Sequence, residues 1–249
     1  MPDHVGSVAR AIRILDALAE RPGGLGVSEV ARLLGVNAST ASRLLSTLQA
    51  GGLVDRTPGG PYRLGLRLLA LSDRVLASLD VRERARPWLD WLVQETSETA
   101  TLSVPGAGEA ITVDFVPSPA TVVSMARLGR PSVPHATAAG KVMLAFTAGG
   151  GDGLELIPYT ERTITDPDEL ASALEEVRRT GVAEAVGERE PDLNALAAPV
   201  LGRGGALVAI IGVQGPAARL PAAKRRAVRE PLQRAAGEVS RALGAQLQG

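Results

Sequence analysis

VSEVARLLGVNASTASRLLSTLQAGGL, residues 27–53, decides the architecture of the N-terminal part of the chain. It reads as two short helices joined by a tight turn. Ser28 is a candidate cap for the first, and Val30, Ala31, Leu33 and Leu34 are its apolar positions. Gly35 stands where a helix ends in the left-handed conformation. Asn37 can cap the second helix, because its side chain accepts from an otherwise unpaired backbone N–H. Leu44, Leu45 and Leu48 form one apolar stripe on that helix, and Gly51 and Gly52 end it.

The opposite face carries Ala38, Ser39, Thr40, Ser42 and Arg43. A face that merely met water would more often show Glu and Lys. Small residues let a helix enter the DNA major groove. Ser and Thr can bond phosphates or base edges, and Arg can bond guanine at two points. In helix-turn-helix proteins the first residues of the second helix reach the bases. The bland alternative is a helical hairpin inside a core, which the capped polar face disfavours.

Immediately downstream, Val54-Asp55-Arg56-Thr57, Pro58-Gly59-Gly60-Pro61 and Tyr62-Arg63-Leu64 read as strand, turn and strand. This is a wing, with Arg56, Tyr62 and Arg63 available for phosphates. Upstream, residues 7–19 form an amphipathic helix with Val8, Ala11, Ile12, Leu15 and Leu18 at helical spacing, placed behind the other two. The expected division is a winged helix-turn-helix domain over 1–64, a linker helix over 65–79 and a second domain over 80–249. In the linker helix Leu66, Leu69, Val75, Leu76 and Leu79 make a face too apolar for a bare connector, so a dimer contact is expected there.

Composition bounds the chemistry. Hydrophobic residues make up 45% of the 249 positions, aromatics only 2%, so the core is built from Leu, Val, Ala and Ile. Cysteine is absent, which removes disulfides, thiolate metal sites and a Cys nucleophile. No cofactor and no metal are expected. Net charge is zero, but residues 1–78 carry nine Arg against six acidic residues, so the basic bias sits with the helix-turn-helix. No signal-peptide core and no run of eighteen apolar residues is present, and a cytoplasmic protein is expected.

Beyond residue 80 the pattern alternates helices and strands. A helix over 81–96 contains Pro87, which implies a kink or a late start. A hairpin follows over 101–116, then a third strand over 121–125 and a loop over 129–134. The segment 135–146 opens with turn formers and becomes a helix. Asp166 caps a helix that runs to Thr180 and stops at Gly181. Strands over 196–200 and 206–213 follow, and a helix over 222–247 closes the chain. The plan is α+β, with a mostly antiparallel sheet and segregated helices.

No catalytic constellation is expected. His135 could be paired with Asp114 or Ser124, but its neighbours suit a loop hydrogen bond better. No G-x-S-x-G elbow occurs, and the glycine a phosphate loop needs five residues before Gly140 is His135. Glu188, Glu190 and Asp192 form an acidic cluster, of which Glu188 is expected to turn inward.

The order and spacing of SVARAIRILDAL, VSEVARLLGV, STASRLLSTLQAGGLV, YRLG, HATAAGK, TITDPDEL with VRRTG, LAAPV and GPAARL resemble the IclR family of bacterial transcription regulators. The resemblance implies a winged helix-turn-helix, a linker helix and a GAF-like effector domain. It also implies dimers or dimers of dimers on pseudo-palindromic double-stranded DNA, and a small organic effector. It places the effector cavity at Ala139, Gly140, Glu188, Ala195, Gly212 and Gln214, with Met125 and Leu128 as apolar walls. Relatives often have Cys at Ala195 and Ser near Gly212 and Gln214. The smaller residues here imply a larger, more apolar cavity, suited to an aromatic or otherwise bulky ligand. Two other readings are a DNA-binding dimer with no effector, marked by a dry core in place of the cavity, and an enzyme fused to a DNA-binding domain.

Overall fold

The computed structural model describes residues 5–56, 58–77, 80–120, 126–151 and 153–245, the stretch 73–77 by its backbone only. The chain divides into two compact units, Met1–Ser78 and Leu79–Gly249.

The first unit contains α1 (Gly6–Ala19), α2 (Val27–Leu34), α3 (Ala38–Ala50), β1 (Val54–Arg56), β2 (Tyr62–Leu64) and α4 (Arg67–Ala77). Its core joins Ile14 and Leu18 of α1, Val30 of α2, Ala41, Leu45 and Leu48 of α3, and Val54 and Tyr62 of the β1–β2 hairpin. The α2 start lies before the expected one. Gly26 is the N-cap, and its N–H donates to Glu29 Oε2 at 2.8 Å, so Ser28 stands inside the helix. Gly35 then closes α2 at φ 66°, a conformation that costs a residue without Cβ little. Only part of the α1 pattern points inward. Ile14, Ala17 and Leu18 are buried, whereas Val8 and Ile12, one helical turn apart, stay more than half exposed.

Among the described residues the second unit is built on a six-stranded antiparallel sheet. Its strands are β3 (Thr99–Pro105), β4 (Ala110–Val116), β5 (Pro131–Ser132), β6 (Ala183–Val186), β7 (Leu193–Leu201) and β8 (Leu207–Pro216), in the order β5-β4-β3-β8-β7-β6. The helices are α5 (Asp80–Thr96), α6 (Ala138–Phe146), α7 (Pro167–Thr180) and α8 (Ala222–Ala242). Two elements differ from the sequence reading. β6 is alanine-rich, AEAV, and lacks the β-branched signal of a strand. β5 is a two-residue pairing inside the segment read as loop. The expected strand over 121–125 lies outside the described residues. Helix α5 runs through Pro87 from Asp80, so the late start is not seen.

Register sorts the sheet residues by face, since directly opposed residues of an antiparallel pair share one. Thr101 opposes Gly212, Gly212 opposes Ala197, and Ala197 opposes Ala183. This face packs α6 and α7 through Val142, Met143, Leu170, Leu174 and Val177. Leu102, Ile211 and Ala198 occupy the other face, where ion pairs tie the sheet to α5 and α8. Asp114 meets Arg82 and Arg86 of α5, and Glu184 meets Arg225 and Arg229 of α8. Burial tends to raise the Glu184 pKa, but hydrogen bonds from Arg229 and Arg225 outweigh it and hold the carboxyl below its ordinary value.

Candidate functional site

The first site is the exposed face of α3. Asn37 caps the helix, its Oδ1 accepting from the Thr40 N–H at 2.8 Å. The cap fixes the start of α3, and Ala41, Leu45 and Leu48 anchor its inner face. Ala38, Ser39 and Arg43 are thereby left on the surface, with Thr40 and Ser42 half-buried beside them. Arg43 has no ion pair among the described residues. The hairpin of β1 and β2 follows with the register Val54↔Leu64 and Arg56↔Tyr62. Arg56 and Arg63 are exposed on it. Tyr62 departs from expectation. Its backbone pairs with Leu25, its side chain belongs to the core, and Arg56 stacks over its ring at 5.1 Å. A ring used as a packing platform supports the wing and does not reach a phosphate.

The second site is a cleft of about 700 Å³ in the second unit. A cavity, not a dry core, therefore occupies the expected place. Its floor is the sheet face of β3, β4, β7 and β8, with Thr101, Ser103, Thr112, Ala195, Ala197, Gly212 and Gln214. One wall is the turn leading into α6, Ala136 to Ala139. The other is the segment from Glu188 to Leu193. Thr137 caps α6, accepting from Gly140 N–H at 3.1 Å while donating to the Val133 carbonyl at 2.8 Å, which orients this wall.

Ala139, Glu188, Ala195, Gly212 and Gln214 all line the cleft, as the sequence reading expects. Three candidates do not join them. Gly140 faces away from the cleft, toward the 133–134 backbone, where a Cβ would run into the Pro134 carbonyl. Leu128 is about half exposed and lies outside the lining. Met125 lies outside the described residues. A Cβ on Gly212 would sit 2.7 Å from Thr101 Oγ1, so a hydroxyl closes on the cleft floor beside this glycine.

Sequence reasoning placed Glu188 and Gln214 here but missed the cations and the hydroxyls of the site. Lys141, the last residue of HATAAGK, is buried and meets both oxygens of Glu188, at 2.7 and 2.6 Å. It also donates to the Glu184 carbonyl at 3.1 Å, so one ammonium ties α6 to β6 and to the cleft wall. The inward Glu188 is thus a paired carboxylate. Arg130 pairs with Glu190 at 3.1 Å. Arg127 and Arg189 also line the cleft. Burial, and then the neighbouring Arg130 charge, lowers the Arg189 pKa below that of an ordinary guanidinium. The Thr101–Ser103 alternation was the one sequence signal for the hydroxyl floor. The cations come from loops, where no periodicity marks a direction.

His135 is buried outside the cleft lining. Its Nε2 lies 2.9 Å from the Ile157 carbonyl, in a loop hydrogen bond. Asp114 is engaged with α5 on the opposite sheet face, and Ser124 lies outside the described residues. Among the described residues no group of three or more His, Asp or Glu could hold a metal ion, and no helix is long and apolar enough to cross a membrane.

Comparison with known proteins decides the family. Residues 7–58 match the IclR helix-turn-helix domain, and residues 73–241 match the bacterial transcriptional regulator IclR C-terminal domain. The chain belongs to the IclR family. It is a DNA-binding transcriptional regulator, not an enzyme. This IclR-family chain is 32% identical over 246 residues to the transcriptional regulator XynR of Escherichia coli K12, covering 96% of this chain and 98% of that one. The crystal structure of an IclR transcriptional regulator from Alicyclobacillus acidocaldarius superposes with a TM-score of 0.81 at 27% identity, covering 97% of this chain and 100% of that one. An IclR homologue from Microbacterium hydrocarbonoxydans, crystallised with 4-hydroxybenzoate, gives a TM-score of 0.80 at 25% identity, with 95% and 98% covered. The helix-turn-helix and the curled antiparallel sheet are those of IclR proteins.

Proposed function

We propose that the protein controls a catabolic or metabolic operon by binding a pseudo-palindromic operator as a dimer or a dimer of dimers, and that a small metabolite in the second unit changes its DNA affinity. The winged helix-turn-helix is assigned to 1–64, the linker helix to 65–79 and the effector domain to 80–249. The carrying observation is the pairing, in one chain, of a capped polar helix face with a cleft of about 700 Å³. A volume of that order suits a small-molecule ligand.

At the DNA, Ala38, Ser39, Thr40, Ser42 and Arg43 enter the major groove. Asn37 sets the helix start, and Arg56 and Arg63 bind phosphates of the flanking backbone. The modest basic excess of the first unit needs two copies on one site to bind tightly, because each neutralised phosphate adds a salt-dependent increment. In the cleft, Ala139, Glu188, Ala195, Gly212 and Gln214 contact the effector. The ligand found in the Microbacterium homologue supports a small organic molecule as effector. A regulator of this kind acts beside the DNA it controls, in the cytoplasm.

Fluorescence anisotropy with the DNA upstream of neighbouring operons tests this reading. Half-sites about 34 Å apart, or a multiple of that, are expected from one helical turn of separation. Arg43→Ala should cost roughly 1–3 kcal/mol on the operator and less on random DNA if the guanidinium reads a base. No salt-dependent binding to any duplex overturns the proposal. Equal loss on operator and random DNA assigns Arg43 to a phosphate instead.

A further inference from the structure

The lining of the cleft carries its own statement about the ligand. Thr101 Oγ1 faces the cleft and makes no hydrogen bond with another described residue, while Ser103 Oγ and Thr112 Oγ1 meet only each other, at 3.5 Å. Asp192 lines the same space without an ion pair among the described residues. These groups can donate to, or accept from, several hydroxyls at once.

Unpaired cations outnumber unpaired carboxylates in the cleft, Arg127 and Arg189 against Asp192. Glu188 is neutralised by Lys141 and Glu190 by Arg130. Two cations remain at the cleft without a carboxylate in ion-pairing distance among the described residues. The Arg127 side chain has no hydrogen bond or ion pair with another described residue, and the Arg189 side chain only reaches the Pro131 carbonyl at 3.3 Å. A guanidinium beside a cleft is a fork for a carboxylate or a phosphate. Aromatic binding has no counterpart here, since no Phe, Tyr or Trp is among the described lining residues and no ring can stack on the ligand.

We infer that the effector is an anionic polyol: a chain bearing several hydroxyls and one carboxylate or phosphate end. The acidic end lies on Arg127, with Arg189 as the second cation. The hydroxyls lie over Thr101, Ser103 and Thr112, with Asp192 accepting at the wall. Glu188 stays paired with Lys141 and takes a hydroxyl, so it does not repel the acid. This inference rests on the cleft being the effector site.

Isothermal titration of the full-length protein with four probes tests it. Gluconate and glycerol 3-phosphate present the carboxylate and phosphate forms of the class, glucitol presents hydroxyls without charge, and benzoate presents charge on a ring. At least one anionic polyol should bind, with glucitol weaker by roughly ten- to a hundredfold because it loses the charge-assisted hydrogen bond, and benzoate weaker by a similar factor because it loses the hydroxyl contacts. Arg127→Gln should weaken the bound polyol by a similar factor while leaving DNA binding intact, and Arg127→Lys should restore part of it. Thr101→Val should weaken it without affecting an anion such as acetate. Benzoate binding as well as the polyols, or affinity indifferent to Arg127→Gln, overturns the inference. If all four probes fail while a broader metabolite screen yields a ligand competing at Ala195→Trp, the inference falls and the effector site stands. If that screen also yields nothing, both fall.

Discussion

Two buried charges in the second unit report on how much order a single ion pair enforces. Lys141 and Glu188 are both nearly inaccessible and are satisfied chiefly by each other, so removing one leaves the other charged in a low dielectric. Lys141→Met or Glu188→Leu alone should each destabilise the second unit by roughly 3–5 kcal/mol, and the double substitution should recover most of that. Urea unfolding of the four proteins checks it, and a double variant no better than the singles would deny the pairing. Glu98 adds a pH dependence. It is fully buried between Arg219 and Lys224, at 2.6 and 2.8 Å. Burial tends to raise its pKa, but the hydrogen bonds and charges of those two cations outweigh it and hold the carboxyl below its ordinary value of 4.5. A carboxyl whose folded pKa is depressed contributes stability above the unfolded pKa and loses it as pH falls through the folded value. The wild-type protein should therefore lose stability as pH drops below about 4.5. Glu98→Gln should be less stable at pH 7 and show a shallower acid slope. An unchanged slope would remove Glu98 from the acid transition.

At the level of elements, the exposed apolar residues of the first unit are not scattered. Val5 at the N-cap of α1 and Val8 and Ile12 on it stand out, as do Leu66 just before α4 and Leu69 and Leu71 in its first turns. Solvent-facing apolar residues of this kind mark an interaction face, and we propose that they form the dimer contact expected from the linker's composition. Leu66→Asp with Leu69→Asp should shift the protein toward monomer in sedimentation velocity at micromolar concentration and weaken operator binding, while a single half-site oligonucleotide still binds. A dimer unaffected by both changes would place the contact elsewhere. The same elements show what a sequence discloses. Helices α2, α3 and α7 were legible because their ends are chemical: Gly35 in the left-handed region, Asn37 on Thr40 N–H, and Asp166 on the N–H groups of Asp168 and Glu169. The strand β6 was not, because Ala183 and Ala185 pack against α6 and α7 with a side chain that carries no strand preference. The winged helix was legible down to its face. Within it Tyr62 was misplaced, since an amphipathic ring suits phosphate contact and core packing alike and only the Leu25 pairing decides between them. The family resemblance located the cleft, but its polarity was not legible. Lys141 and Glu188 are 47 residues apart, and Arg127 and Arg189 converge on one cavity only through the fold.

For the whole molecule, regulation requires that the ligand prefer one arrangement of the two units over another, because a ligand of equal affinity for both shifts nothing. The coupling is then reciprocal: whatever factor the effector imposes on operator affinity, the operator imposes on effector affinity. Titrating the effector into protein with and without saturating operator should return the same factor as titrating operator with and without effector. The first unit ends with α4, Arg67–Ala77, and α5 of the second starts at Asp80. A helix transmits displacement only while its backbone hydrogen bonds are continuous. Ser72→Pro, in the interior of α4 and on an exposed position, breaks that continuity at a cost of about 3 kcal/mol or more. It touches neither the α3 face nor the cleft lining. In a variant still dimeric by sedimentation, operator and effector should each bind with near wild-type affinity, and the coupling factor should collapse toward one. Coupling that survives the proline undiminished would mean that the signal does not travel through this helix, and the search would move to contacts between subunits.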